Sequence, residues 1–188
     1  MNLPNKITVS RIALIPIFLI FLIPLPDWTN RYSCFELFNN FVASCGTTIA
    51  TIIFAIASMT DGIDGYIARK YNKVTNLGIF LDPIADKIMV ISALIALVQR
   101  NSLSVWVTII IIAREFIITG FRLVASDKKV VLAANKWGKL KTVSQITLII
   151  VALLIENKLL VAVCSIFALT ITIYSGWRYI FDNKDLLK

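Results

Sequence analysis

Six stretches of this chain, approximately 7–26, 41–61, 78–99, 103–124, 138–155 and 159–180, are apolar for long enough to cross a bilayer as helix. A helical span needs roughly 20 mostly apolar residues. In hydrocarbon every backbone N–H and C=O must find a partner within the chain, so only helices and closed barrels can span. A barrel would show alternating segments of about ten residues, and none is present. The fold expected is therefore an all-α integral membrane protein with six transmembrane helices. The polar connections are too short for a soluble domain, so residues 1–188 read as a single membrane domain. Composition agrees, with 58% hydrophobic residues, 16% charged and a mean hydropathy of +0.82. Pro16, Pro24 and Pro26 predict a bent first span, or one preceded by an N-terminal interfacial segment around Asn5 to Arg11.

The 19 basic residues are distributed asymmetrically. Fourteen fall on one side of the expected spans, including Lys6, Arg11, Arg69, Arg122, Lys128, Lys139, Lys141 and Lys184, whereas only Arg31, Arg100 and Lys158 fall on the other. Cytoplasmic loops carry the excess of Lys and Arg, which predicts that both termini are cytoplasmic. Anionic headgroups account for the net charge of +8 without nucleic acid, so no nucleic-acid partner is expected. Cys34, Cys45 and Cys164 form no C-x-x-C pair and read as packing residues, with a Cys34–Cys45 bridge left open. Trp28, Trp106, Trp137 and Trp177 fall near span ends, as an interfacial belt requires.

Against this apolar background, residues 61–87 read DGIDGYIARKYNKVTNLGIFLDPIADK. An ionised side chain near the membrane core costs on the order of 3 kcal/mol, so intramembrane acids point to function. Asp61 and Asp64 are three residues apart, and Asp82 and Asp86 four, so each pair shares one face of its helix. Four carboxylates at the cytoplasmic edge repel one another or take up protons unless cations arrive. Hard divalent ions suit oxygen ligands, and two of them can hold the attacking and leaving oxygens of a phosphoryl transfer. The chain contains no histidine, which argues against zinc and leaves a carboxylate, a lysine or water as proton acceptor. Gly62, Gly65 and Gly78 allow close approach of a ligand or a neighbouring helix, and Arg69 is placed to clamp a diphosphate.

A second constellation comprises Arg114, Glu115, Arg122, Lys139 and Lys141. Glu115 is expected to pair with a nearby cation, which is a structural role. Arg114, Arg122 and Lys139 are candidates for an anion pocket that takes a phosphorylated cytosolic substrate.

The run Asp61-Gly62-x-Asp64-Gly65-x-x-Ala68-Arg69, then eight residues, then Gly78-x-x-x-Asp82-x-x-x-Asp86 resembles the signature of the CDP-alcohol phosphotransferase family at every position. The resemblance implies Asp61, Asp64, Asp82 and Asp86 as ligands of two Mg²⁺ ions, with Mn²⁺ as the alternative, and Asp86 as catalytic base. It implies Gly65, Ala68, Arg69 and Gly78 at the cytidine diphosphate site. Pro4-Asn5-x-x-Thr8-x-x-Arg11, Ala113-Arg114-Glu115-Phe116, Gly120-x-Arg122 and Gly138-Lys139-x-Lys141-Thr142 are similar to the bacterial members that use glycerol 3-phosphate. That similarity adds Asn5, Thr8 and Arg11 to the nucleotide site and Arg114, Arg122, Lys139 and Lys141 to the acceptor-phosphate site. It implies CDP-diacylglycerol and glycerol 3-phosphate as substrates, CMP as leaving product, a homodimer among membrane lipids, and residence in the bacterial inner membrane with the site at the cytoplasmic face. Rival readings are another acceptor in the same family, an intramembrane prenyltransferase and a cation transporter. Acids gathered at one face beside Arg69 fit a pyrophosphate site better than an ion pathway.

Overall fold

The structure, a computed structural model, describes residues 3–26, 29, 32–70, 76–128, 136–155 and 157–184; the side chains of 3–7, 61–70, 76–83, 86, 126 and 127 lie outside the description. All regular structure among the described residues is helical. The chain forms two compact units, Met1–Arg100 and Asn101–Lys188.

In the first unit, α1 (Leu3–Leu22) packs against both α3 (Thr47–Lys70) and α4 (Asn76–Gln99). Among its described residues Thr8, Arg11, Ile15, Phe18 and Leu22 are buried, spaced alternately three and four apart, so they form one stripe along the helix. Phe18 meets Phe54 of α3 with ring centroids 6.0 Å apart. On α4 the buried positions include Ala85, Ala93 and Ala96, small side chains that let helix backbones approach closely. Pro16 is accommodated inside α1, and Pro24 and Pro26 follow its end. Asn5 to Arg11, anticipated as an interfacial segment, are helical and belong to α1, which runs unbroken from Leu3.

The connection expected between the first two spans, residues 27–40, also differs. Ser33–Phe41 is helical (α2), and a π-helical turn, Val42–Gly46, joins it to α3. Asn39 ties the chain after α1 to this helix: its Oδ1 accepts from the Leu25 N–H at 2.9 Å and its Nδ2 donates to the Leu25 carbonyl at 3.3 Å. Gly46 is required by proximity, because a Cβ there would run into the Phe21 carbonyl oxygen. Cys34 and Cys45 are free and exposed on this helical run, so they are neither bridged nor packing residues. Eleven residues of helix separate them by about 16 Å, beyond the reach of a disulfide.

In the second unit, α7 (Lys158–Asp182) packs against α5 (Val105–Asp127) and α6 (Lys136–Leu154). Its buried face is Val161, Ser165, Ala168, Ile171, Thr172, Ser175, Gly176 and Tyr179. Within that face Gln145 of α6 donates to the Thr172 hydroxyl at 3.2 Å, a buried polar link between helices. Asn157 caps α7, its side chain accepting from the N–H groups of Leu159 and Leu160.

Helical runs long and apolar enough to cross a membrane are Ser33–Thr60, Lys136–Leu154 and Lys158–Asp182 among the described residues, with shorter apolar runs at Thr8–Leu22 and Lys87–Gln99. Large apolar side chains such as Met59, Leu123, Leu159 and Ile166 lie exposed, as lipid contact requires. Trp106 and Trp177 are exposed near helix ends, and Trp137 packs edge-on against Tyr174 at 4.6 Å. Trp28 lies outside the described residues.

Candidate active site

The acidic signature occupies the ends of two helices in the first unit. The apolar run that includes α3 ends at Thr60, yet the helix continues to Lys70, about 15 Å further, and carries Asp61 to Arg69 on that extension. The chain is helical again from Asn76, so Gly78, Asp82 and Asp86 lie on α4. The backbone thus gives both aspartate pairs the helical spacing read from sequence. The side chains of Asn5, Asp61, Asp64, Gly65, Ala68, Arg69, Gly78, Asp82 and Asp86 lie outside the described residues.

Thr8 and Arg11 are described, and both are buried, at 1% and 2% exposure. They fall on the α1 stripe, and α1 packs against α3 and α4, the two helices that bear the aspartates. An arginine this enclosed is no headgroup anchor, since a buried cation needs compensation within the protein.

The cationic constellation belongs to the second unit. Buried positions of α5 recur at Val107, Ile111, Ile118, Phe121 and Ala125. The turn missing from that series is Arg114-Glu115, so two charged side chains occupy the inward stripe. Glu115 accepts from Lys141 Nζ of α6 at 2.7 Å and pairs with Arg114 Nη1 at 3.3 Å. All three side chains are between 11% and 14% exposed, so water screens the triad poorly. Arg114 Nη2 donates to the Ser175 hydroxyl of α7 at 2.9 Å. The guanidinium lies over Gly176, where a Cβ would come within 3.2 Å of Arg114 Cγ. Arg114 Nε is buried without a hydrogen-bond partner.

Arg122 is held differently. Its Nε donates to the Tyr179 hydroxyl at 3.1 Å, and its Cζ lies 5.4 Å from the ring centroid. Tyr179 is itself buried against Phe121 and Ile118. Arg122 and Lys139 are exposed. The four candidate acceptor residues therefore divide: Arg114 and Lys141 spend donors on Glu115, whereas Arg122 and Lys139 reach solvent.

Pairing of Glu115 to cations is as expected from sequence. Ser175, Gly176 and Tyr179 were not anticipated. Their signal was available, since Ser175-Gly176-x-x-Tyr179 is a small and polar patch in an otherwise apolar span.

The family model of the CDP-alcohol phosphatidyltransferases matches residues 1–174. The chain is 46% identical over 194 residues to the CDP-diacylglycerol–glycerol-3-phosphate 3-phosphatidyltransferase of Bacillus subtilis, covering 100% of this chain and 97% of that one. It is 37% identical over 150 residues to the protein of the same name from Haemophilus influenzae, covering 77% and 71%. It is 36% identical over 182 residues to a probable phosphatidylglycerophosphate synthase of Mycobacterium tuberculosis, covering 95% and 80%. The chain belongs to the CDP-alcohol phosphatidyltransferase family.

Proposed function

We propose that this protein transfers the phosphatidyl group of CDP-diacylglycerol to sn-glycerol 3-phosphate, giving phosphatidylglycerophosphate and CMP. The observation that carries the reading is 46% identity across the full chain to a relative named for that reaction. The acceptor hydroxyl oxygen attacks the phosphorus that bears the diacylglycerol, the bond from that phosphorus to the CMP oxygen breaks, and the hydroxyl proton passes to the Asp86 carboxylate. Asp61, Asp64, Asp82 and Asp86 form an all-oxygen donor set in a chain without histidine, which fits Mg²⁺ and also Mn²⁺. When bound, two such ions supply positive charge to the diphosphate and to the leaving phosphate.

Asn5, Thr8, Arg11, Gly65, Ala68, Arg69 and Gly78 are assigned to the nucleotide. The structure leaves Arg122 and Lys139 exposed, which supports them as the groups that meet the acceptor phosphate, with Tyr179 fixing the Arg122 side chain. Arg114 and Lys141, tied to Glu115, then form the charged framework beneath. The distribution of basic residues supports a site at the cytoplasmic face, and the bacterial relatives support residence in the bacterial inner membrane. Within the first unit Lys70 ends α3 beside the acidic signature and Arg100 follows the far end of α4, and within the second Arg122, Lys136 and Arg178 fall at one set of helix ends and Lys158 at the other. Six spans and a homodimer complete the arrangement and rest on apolar length and family resemblance.

The test is CMP release by the purified protein with CDP-diacylglycerol and Mg²⁺, comparing glycerol 3-phosphate with serine, inositol phosphate and phosphatidylglycerol. Release driven by glycerol 3-phosphate alone supports the reading, and release driven by another acceptor refutes it.

A further inference from the structure

At the end of the first unit remote from the aspartates there is a cavity of about 430 Å³, lined by Leu22, Ile23, Pro24, Val42, Ala43, Thr47, Gln99 and Arg100. From Asp61 back to Thr47, and from Asp86 on to Gln99, the helices run about 20 Å, most of a hydrocarbon thickness. This cavity is therefore separate from the acidic cluster.

Its walls combine two chemistries. Leu22, Ile23, Pro24, Val42 and Ala43 are apolar, whereas Arg100, Gln99 and Thr47 supply polar groups at one side. Arg100 Nη1 donates to the Thr47 hydroxyl at 2.8 Å and reaches the Leu22 carbonyl at 3.5 Å. Those bonds fix the guanidinium at the cavity from one edge and leave its other edge for a ligand. A fixed guanidinium is suited to bidentate binding of a phosphate. Val42 and Ala43 belong to the π-helical turn, a local irregularity that recurs at functional sites.

We propose that this cavity binds the phosphate of an anionic phospholipid in the leaflet opposite the active site, with the lipid's glycerol and upper acyl carbons against Leu22, Ile23 and Val42. The leaflet assignment rests on the topology given under the proposed function. The site itself rests on the cavity and Arg100, and its test reads lipid binding, not turnover.

The experiment is native mass spectrometry of the full chain in non-ionic detergent, titrated with phosphatidylglycerol or phosphatidylcholine, with inorganic phosphate as competitor. Arg100→Gln removes the charge, and Ala43→Trp fills the cavity from an exposed wall position without touching the core. The result expected is phosphatidylglycerol held more tightly than phosphatidylcholine, weakened about tenfold by Arg100→Gln, as loss of hydrogen bonds to a charged group predicts, lost in Ala43→Trp because the indole takes up the space, and not displaced by millimolar phosphate. Wild-type binding in Ala43→Trp, equal binding of phosphatidylcholine, or displacement by free phosphate would each overturn the proposal. Ala43→Trp keeps the test decisive should Arg100→Gln fail to fold. CMP release by the same preparations, whatever its outcome, tests the catalytic reading separately.

Discussion

Replacing Glu115 with glutamine removes the only anion from a triad in which it faces Lys141 Nζ at 2.7 Å and Arg114 Nη1 at 3.3 Å. With an effective dielectric of about 20, those pairs carry gross attractions of about 6 and about 5 kcal/mol. Most of that is offset by desolvation of the ions, and breaking a buried pair from one side costs about 3–5 kcal/mol net. Glu115→Gln should stand at the upper end, because it leaves two like charges on the inward faces of α5 and α6. Lys141→Met should cost less, because Glu115 keeps Arg114 and the methionine retains the aliphatic volume. The double variant should recover part of the loss, since it leaves only Arg114 without its anion. The assay is reversible unfolding by SDS titration in mixed micelles, run on wild type, both single variants and the double. Equal stability of Glu115→Gln and Lys141→Met, or strictly additive losses, would refute the reasoning that one carboxylate serves two cations.

Three further outcomes follow from named contacts. Tyr179→Phe keeps the ring under Arg122 but deletes the 3.1 Å hydrogen bond, and should raise the KM for glycerol 3-phosphate several-fold with kcat nearly unchanged, measured by steady-state CMP release. Arg122→Ala should raise that KM further, and an unchanged value would remove Arg122 from the acceptor site. Gly46→Ala forces a Cβ against the Phe21 carbonyl and should lower stability by about 1–3 kcal/mol in the same SDS titration, as overpacking does.

Helices whose signal is sheer apolar length were legible in the sequence. α4, α6 and α7 begin and end within a few residues of their expected bounds, because solvent-averse length leaves the backbone no other state. Ser33–Phe41 was missed for the complementary reason. Glu36, Asn39 and Asn40 interrupt its apolarity, so it reads as a connection, although Phe35, Phe38 and Phe41 recur at helical spacing. What completes it is tertiary: Phe38 packs on Phe21 at 6.4 Å, and Asn39 holds the Leu25 backbone. The far end of α3 likewise exceeds its apolar run, because a ten-residue segment carrying Asp61, Asp64, Arg69 and Lys70 continues the same helix to Lys70.

Candidate residues on α5 and α6 were legible by charge, since Arg114, Glu115 and Lys141 are conspicuous in apolar surroundings. Their pairing was only partly so. Sequence spacing shows that Glu115 needs a cation but not that Lys141, 26 positions away, supplies the shorter contact. The contribution of α7 was hidden because Ser175 and Tyr179 acquire meaning only when that helix packs against α5. Gly176 is similar: in sequence it is one of seven glycines, and in the fold it is the clearance for the Arg114 side chain.

The measurement closest to the central claim is product formation by the purified full chain given CDP-diacylglycerol, glycerol 3-phosphate and Mg²⁺, with the Asp86→Asn variant beside it. The account predicts CMP and phosphatidylglycerophosphate appearing one to one, arrested by a chelator, and lost in Asp86→Asn while that variant still binds CDP. Turnover by Asp86→Asn at the wild-type rate, or a wild-type protein that releases no CMP under these conditions, would contradict it.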